Sequence, residues 1–157
     1  MSGEQRIAKF TLNEKGVKRR SPEAEHERNV ALTDLLHDNV FQPTCMKEGP
    51  YEVGLGIEEG RLVMDVFSPQ ENKNSRVVLP ITSLRGIIRD YFMICESYYE
   101  ALKKSPGPGK LEAIDMGRRG VHNEGSVLLK ELLENRISVD HQTARRLFTL
   151  ICVLHIK

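Results

Sequence analysis

Residues 115–126 carry the densest polar chemistry in the chain and lie between two apolar runs. The stretch combines arginine, histidine, carboxylate and amide side chains with three glycines, Gly117, Gly120 and Gly125. Glycine gives the backbone freedom, and polar side chains on a free backbone are typical of binding and catalytic loops. An ordinary junction between two helices has the same composition. The pattern therefore predicts a loop at 117–125 within this stretch, and this loop is where a site would lie.

Anion binding is the first chemistry that this stretch could perform. A guanidinium group binds phosphate or carboxylate through two parallel hydrogen bonds, and the free amides at a helix start also attract anions. On this hypothesis the ligand-binding residues are Arg118, Arg119, His122, Asn123 and Glu124. The alternative is structural: Gly117 ends one helix in a left-handed cap, and Asn123 caps the next helix.

Acid/base catalysis is the second chemistry. His122 could act as general acid or base, because an unperturbed imidazole has a pKa of about 6.5. Asp115 or Glu124 would orient it, and the neighbouring arginines would bind substrate charge, as in a hydrolase. No metal is expected, because the histidines are scattered and no His-Glu-x-x-His spacing occurs.

Weaker candidates for the same site come from other parts of the chain. They are His26 and Arg28 near the N-terminus, Arg89 on the polar border of a long predicted helix, and Arg145 with Arg146 near the C-terminus. Sequence alone leaves open whether these side chains meet the central stretch or lie on solvated helix faces.

Arg145 and Arg146 lie in the first turns of the predicted last helix. Positive charge is unfavourable there, so each of the two arginines needs a partner. The sequence offers Asp140, Glu124 and Asp115 as carboxylate partners. A purely structural interpretation is therefore also open, in which these groups form an internal network of ion pairs.

Composition limits the class of protein. A chain of 157 residues with a net charge of +1 fits one domain over 1–157, with 1–5 flexible, and creates no overall field that would attract nucleic acid. Its three cysteines lack the paired spacing of a zinc or dithiol site. The sequence shows neither a signal peptide nor a membrane span, so we expect a cytoplasmic protein.

No phosphate loop, dinucleotide fingerprint or nucleophile elbow is present, and we expect no cofactor. The hypothesis favoured by the sequence is a non-enzymatic binding or regulatory domain that recognises a small anion or an acidic protein surface. The hydrolase with His122 is the alternative.

Hydrophobic periodicity predicts the elements that would position these residues. Strands are predicted over 6–14, 51–57, 62–66 and 76–81, and helices over 21–38, 83–104, 111–116 and 127–136, with a last helix capped by Asp140. In the first strand, Ala8, Phe10 and Leu12 share one side. Residues 70–75 are predicted to be a loop.

Residues 147–156 are apolar almost all round. Such a segment is either a helix in the middle of the core or a buried strand, and periodicity alone does not distinguish the two.

Together these elements predict an α+β domain with an antiparallel sheet of about four strands and four to five helices packed on one face. The other face carries Gly54 and Gly56, has little side chain to bury, and would contact solvent or another subunit in a homodimer.

Several motifs resemble one known family. They are EHER at 25–28, DYF at 90–92, CESYYEA at 95–101, EAIDMGRRG at 112–120, HNEG at 122–125, TARRLFTL at 143–150 and CVLH at 152–155. In this order they resemble the uncharacterised bacterial family UPF0262, found in alphaproteobacteria. The resemblance implies a small, single-domain cytoplasmic protein, and it carries over no catalytic or cofactor-binding residue.

Overall fold

The computed structural model of the chain describes residues 4–15, 21–105 and 107–155. These described residues contain six strands and four helices. In chain order they are β1 (Ile7–Leu12), α1 (Pro22–His37), β2 (Phe41–Pro43), β3 (Tyr51–Glu58), β4 (Arg61–Ser68), β5 (Lys73–Pro80), α2 (Thr82–Lys103), α3 (Pro108–Leu133), β6 (Ile137–Val139) and α4 (His141–His155).

The four long strands form one sheet in the order β1-β3-β4-β5, and β2 pairs with β6 in a separate two-stranded ladder. The prediction of a single α+β domain is confirmed. The predicted antiparallel sheet is wrong at one edge, because β1 runs parallel to β3. Helix α1 follows β1 and returns the chain along the sheet. Strand β3 therefore starts from the same end of the sheet as β1.

Strand β1 also buries a different set of side chains from the predicted one. Its register shifts between Ile7 and Lys9, which is the mark of a bulge. As a result Ile7 is fully buried and joins the core with Phe10 and Leu12, whereas Ala8 is exposed.

Strand β5 begins three residues earlier than predicted, at Lys73, and shortens the predicted loop at 70–75. Its first residues, Lys73 and Asn74, pair with Ser68 and Phe67 of β4. They are polar, so no apolar alternation marks them, but backbone pairing does not need apolar side chains.

One core lies between the sheet and α4. Cross-strand neighbours on the buried face of the sheet include Val53 with Val66 and Leu55 with Met64. Every residue of α4 from Leu147 to Leu154 is buried, and α4 contacts α1, α3 and β3. Residues 147–155 are thus the central helix of the core and not a strand.

Two polar groups fix the ends of α1. Ser21 caps its start by accepting a hydrogen bond from the Ala24 amide at 3.1 Å, as the sequence predicts. Beyond its end, buried Asn39 accepts from the Ile7 amide at 2.6 Å and donates to the Ile7 and Leu35 carbonyls at 3.0 and 2.7 Å. The Asn39 side chain therefore fastens β1 to the last turn of α1. Of residues 1–5, which are expected to be flexible, residues 1–3 lie outside the described residues.

The predicted loop at 117–125 is wrong. These residues form the middle of α3, a continuous helix of 26 residues. Gly117 therefore caps no helix, and Asn123 begins none. The two helices predicted at 111–116 and 127–136 fall largely within α3. The described residues therefore contain four helices and not five.

Gly125 explains why a glycine-rich segment is helical here. A Cβ atom at this position would overlap the ring of Phe148 on α4. A glycine inside a helix costs about 1 kcal/mol relative to alanine. At Gly125 the cost is offset because α3 approaches α4 closely enough to pack against Phe148.

We predict opposite effects for two glycine substitutions in α3. Gly125→Ala should lower the free energy of unfolding by about 1–3 kcal/mol, because the new methyl group forces the Phe148 ring to move. Gly120→Ala should raise it by up to about 1 kcal/mol, since nothing lies within 4 Å of its Cβ position and alanine favours a helix. Urea denaturation of both variants measures the difference, and equal effects would contradict this packing.

Candidate functional site

The candidate residues of α3 lie on two sides of the helix. Arg118 and His122 are one turn apart on the side that faces the other helices, and both are partly buried. Arg119, Asn123 and Glu124 are exposed on the other side. The structure therefore brings only some of the predicted ligand-binding residues together.

Arg118 is the centre of an ion-pair network between helices. Its Nη2 donates to Asp115 Oδ1 at 2.8 Å, and its Nη1 lies 3.7 Å from Glu27 Oε1 on α1. The guanidinium carbon lies 4.1 Å from the centroid of the Tyr98 ring on α2, in a cation–π arrangement. The hydrogen bond from Arg118, together with the charge of Arg119, lowers the pKa of Asp115 below its ordinary value.

Glu27 connects this network to the inner side of α2. It accepts a hydrogen bond from the Tyr99 hydroxyl at 2.7 Å. Burial and this hydrogen bond raise the pKa of Tyr99, so that its hydroxyl stays protonated and donates. Arg118 and Glu27 therefore join α1, α2 and α3.

His122 lies in a second group of contacts, against α4. Its ring stacks on Tyr91 with centroids 5.2 Å apart and also contacts the Phe148 ring at 5.7 Å. Its Nε2 is 2.8 Å from Thr149 Oγ1 and 3.1 Å from the Arg145 carbonyl oxygen, and its Nδ1 is 3.4 Å from Arg145 Nη2. The tautomer that fits these partners has Nε2 donating and Nδ1 accepting.

This environment keeps the imidazole neutral. Burial, followed by the nearby positive charge of Arg145, lowers the pKa of His122 from 6.5 to about 4. Because both ring nitrogens already have partners within the helix bundle, His122 holds α3 against α4.

The carboxylate partners expected for Arg145 and Arg146 are not found among the described residues. Arg146 donates instead to the Asp38 carbonyl oxygen at 2.7 Å, beyond the end of α1. Asp140 caps α4 as predicted, by accepting from the Thr143 amide at 2.9 Å. Arg146 needs no carboxylate partner, because the free carbonyl oxygens at the end of α1 accept hydrogen bonds from its guanidinium.

The weaker candidates near the N-terminus do not contact Arg118 or His122. Arg28 turns away from the network and pairs with Glu14, with 2.6 Å between Nε and Oε1. His26 is exposed, while Arg89 lies on the rim of a cleft.

That cleft, of about 1030 Å³, runs along α2 between the first half of α1 and the last turns of α4. Its floor is mainly apolar and includes Ile88, Tyr91, Phe92, Cys152 and Val153. Its charged rim consists of Glu23, Glu27, Arg85, Arg89, Glu96, Glu100 and Lys103.

Arg85 and Arg89 stand one helical turn apart on this rim, and both are exposed. Within the described ranges, no carboxylate pairs with either guanidinium. Arg85 is not among the residues predicted for the site, because hydrophobic periodicity alone places it on the polar half of α2. The four-residue spacing of two arginines beside an apolar stripe is the signal that would have revealed the pair.

The cysteines of the cleft are poor nucleophiles. Burial raises the pKa of Cys95 to about 11 and that of Cys152 well above its ordinary value, which keeps both as thiols. No group of three histidine, cysteine, aspartate or glutamate side chains in the described chain could hold a metal ion. None of the helices within the described ranges is long and apolar enough to cross a membrane.

The sequence profile of an uncharacterised protein family, UPF0262, matches residues 4–157. The chain belongs to the UPF0262 family. It is 54% identical over 157 residues to the UPF0262 protein amb3341 of Paramagnetospirillum magneticum, covering 100% of this chain and 99% of the relative. It is 49% identical over 150 residues to the UPF0262 protein PHZ_c2197 of Phenylobacterium zucineum, covering 96% and 92%. No solved structure matches.

The two neighbouring arginines of this UPF0262 chain should differ in their contribution to stability. Arg118→Ala should lower the free energy of unfolding by about 1–3 kcal/mol, because Asp115 and Glu27 lose their shared cation. Arg119→Ala should change it by less than about 0.5 kcal/mol, since that side chain is 74% exposed. Urea denaturation compares the two, and equal losses would argue against the network.

His122 should make stability depend on pH. The folded protein keeps this histidine neutral down to about pH 4, whereas the unfolded chain takes up a proton near pH 6.5. The stabilisation is therefore complete above pH 6.5 and decreases as the pH falls, by about 2 kcal/mol from about pH 7.5 to about pH 5.

Denaturation curves at these two pH values test this prediction. His122→Gln should lose less stability on acidification than the unsubstituted protein, whatever its stability at neutral pH. His26→Gln, at an exposed position, is the control and should show the unsubstituted protein's full loss. The prediction is wrong if His122→Gln loses as much stability as the control.

Proposed function

We propose that this UPF0262 protein is a non-enzymatic binding domain and that its cleft between α1, α2 and α4 holds the ligand. The observation that carries the proposal is the pair Arg85 and Arg89, which lack a carboxylate partner among the described residues and stand over an apolar floor. A cytoplasmic location is part of the proposal, because the three cysteines are free thiols.

The shape and lining of the cleft support binding. A typical ligand site is a concave pocket with mostly apolar walls and a few polar groups that fix the orientation. Phe92 and Cys95, which are only partly buried, supply accessible apolar surface at the floor. Two guanidiniums one turn apart can hold a carboxylate, phosphate or sulfonate by charge-assisted hydrogen bonds. The cleft therefore suits an occupant that has an apolar surface next to an acidic group.

The charged cluster seen in the sequence supports this role indirectly. Arg118 and His122 hold together α1, α2 and α4, the helices that form the cleft, and Glu27 belongs both to the network and to the cleft. Ligand binding by the exposed residues Arg119, Asn123 and Glu124 stays a prediction from the sequence.

The hydrolase alternative has less support. His122 would need a free nitrogen directed at a substrate, but its ring lies between Tyr91 and Phe148 with both nitrogens engaged. At a pKa of about 4 it is also a weak base at neutral pH.

The fluorescent probe anilinonaphthalene sulfonate tests the proposal, because it combines an apolar body with one anionic group. We expect it to bind the folded protein and to be displaced by decanoate. The double variant Arg85→Ala with Arg89→Ala should weaken probe binding by about tenfold, since it removes both cations.

Arg61→Ala is the matched control. Arg61 is an exposed arginine of β4 outside the cleft, so its loss should leave probe binding unchanged. Circular dichroism confirms that each variant is folded. Probe binding that is absent, or that is equal in the double variant and the control, would refute the proposed site.

A further inference from the structure

We infer that the occupant of the cleft is an amphipathic helix of a partner protein, with acidic side chains at one end and basic side chains at the other. This inference rests on the proposed function of the cleft and specifies its partner. It comes from the length of the cleft, the spacing of its floor residues and the distribution of charge on its rim.

The cleft is long and follows a helix. It extends along α2 from Arg85 to Lys103, which at a rise of 1.5 Å per residue is about 27 Å. A partner helix of about 18 residues has this length. α1 and the end of α4 form the opposite wall, so a helix could lie beside α2 in contact with all three.

The floor has the spacing that helix packing requires. Phe92, Cys95 and Tyr99 recur at three- and four-residue intervals along α2, line the cleft and are each partly exposed. Such a row forms a ridge that fits the groove between the side chains of another helix. An amphipathic helix can bury its apolar side on such a groove.

The rim carries opposite charges at its two ends. Arg85 and Arg89 are at one end, and Glu96 and Glu100 are about 16 Å away along α2. Glu96 has no cation partner among the described residues, and Glu100 has only an exposed pair with Lys104 at 3.8 Å.

Glu23 and Glu27 of α1 add further negative charge at the second end. Both already have partners, since Glu23 lies 4.0 Å from Lys103 and Glu27 accepts from Tyr99. An acyl chain with one acidic head would match only Arg85 and Arg89 and would leave Glu96 without a cation. A helix with segregated charges matches both ends of the cleft.

Synthetic helical peptides of about 18 residues test the inference. Three peptides share one apolar stripe and differ only in charge: the first has an acidic half and a basic half, the second is basic throughout, and the third is acidic throughout. Fluorescence anisotropy at low salt (about 50 mM NaCl) should show the segregated peptide binding about fivefold more tightly than either of the others. High salt should remove the difference.

Charge reversal on the protein provides the decisive comparison. Arg85→Glu with Arg89→Glu leaves Lys103, which lies beside Glu23, as the one lysine or arginine among the described rim residues, so the basic peptide should become the tightest binder. Arg61→Glu, outside the cleft, should keep the original order.

The outcomes separate the inference from the proposed function. One outcome is that decanoate and the probe bind, that their binding needs Arg85 and Arg89, and that no peptide binds. The inference of a helical partner is then wrong, and the proposed binding cleft is supported. If all three peptides bind equally, the charge pattern has no role and the inference fails. If neither the probe nor any peptide binds, both proposals fail.

Discussion

The contact between Gly125 and Phe148 sets the distance between α3 and α4, and the arrangement of the helices depends on it. Only a residue without a side chain allows α3 this close to the Phe148 ring. At that distance His122 reaches Thr149 and the backbone of Arg145. Because α4 is buried on every side from Leu147 to Leu154, other elements must enclose this part of it, and α3 packs against it beside the sheet and α1.

The charged groups of the chain work mainly between helices. Arg118 draws α1 and α2 to α3, while Arg146 ties α4 to the end of α1. Helix α2 packs chiefly against α3 and meets the first half of α1 at Tyr99 and Lys103. The cleft lies between these helices because α1 reaches α2 mainly through the long side chains of Glu23 and Glu27.

The sequence predicts those parts of the fold that depend on local chemistry. Alternating side chains define β3 and β4, Ser21 and Asp140 define two helix starts, and the apolar run at 147–155 defines the central helix. Each of these signals comes from neighbouring residues. Local signals therefore predict these elements and the α+β class.

Contacts between distant residues decide the rest. Gly125 looks like a helix breaker until Phe148 is known to lie against it, so the sequence predicts a loop where the structure has a helix. Likewise, the sequence ranks Arg118 and His122 as ligand-binding residues, because nothing local reveals that Glu27 and Thr149 meet them. For Arg85 the sequence gives the opposite error. It shows only an arginine on the polar side of a helix, and the cleft beside it is visible only in the structure.

The parallel pairing of β1 with β3 has a consequence for how the protein is made. Strands β3, β4 and β5 are joined by short turns, so each finds its neighbour soon after synthesis. Strand β1 leaves the ribosome first but has no strand to join until residues 51–58 have followed and α1 has turned the chain back. The earliest strand to be translated therefore pairs only after β3 has followed it, and Asn39, which fastens it to α1, is translated between the two.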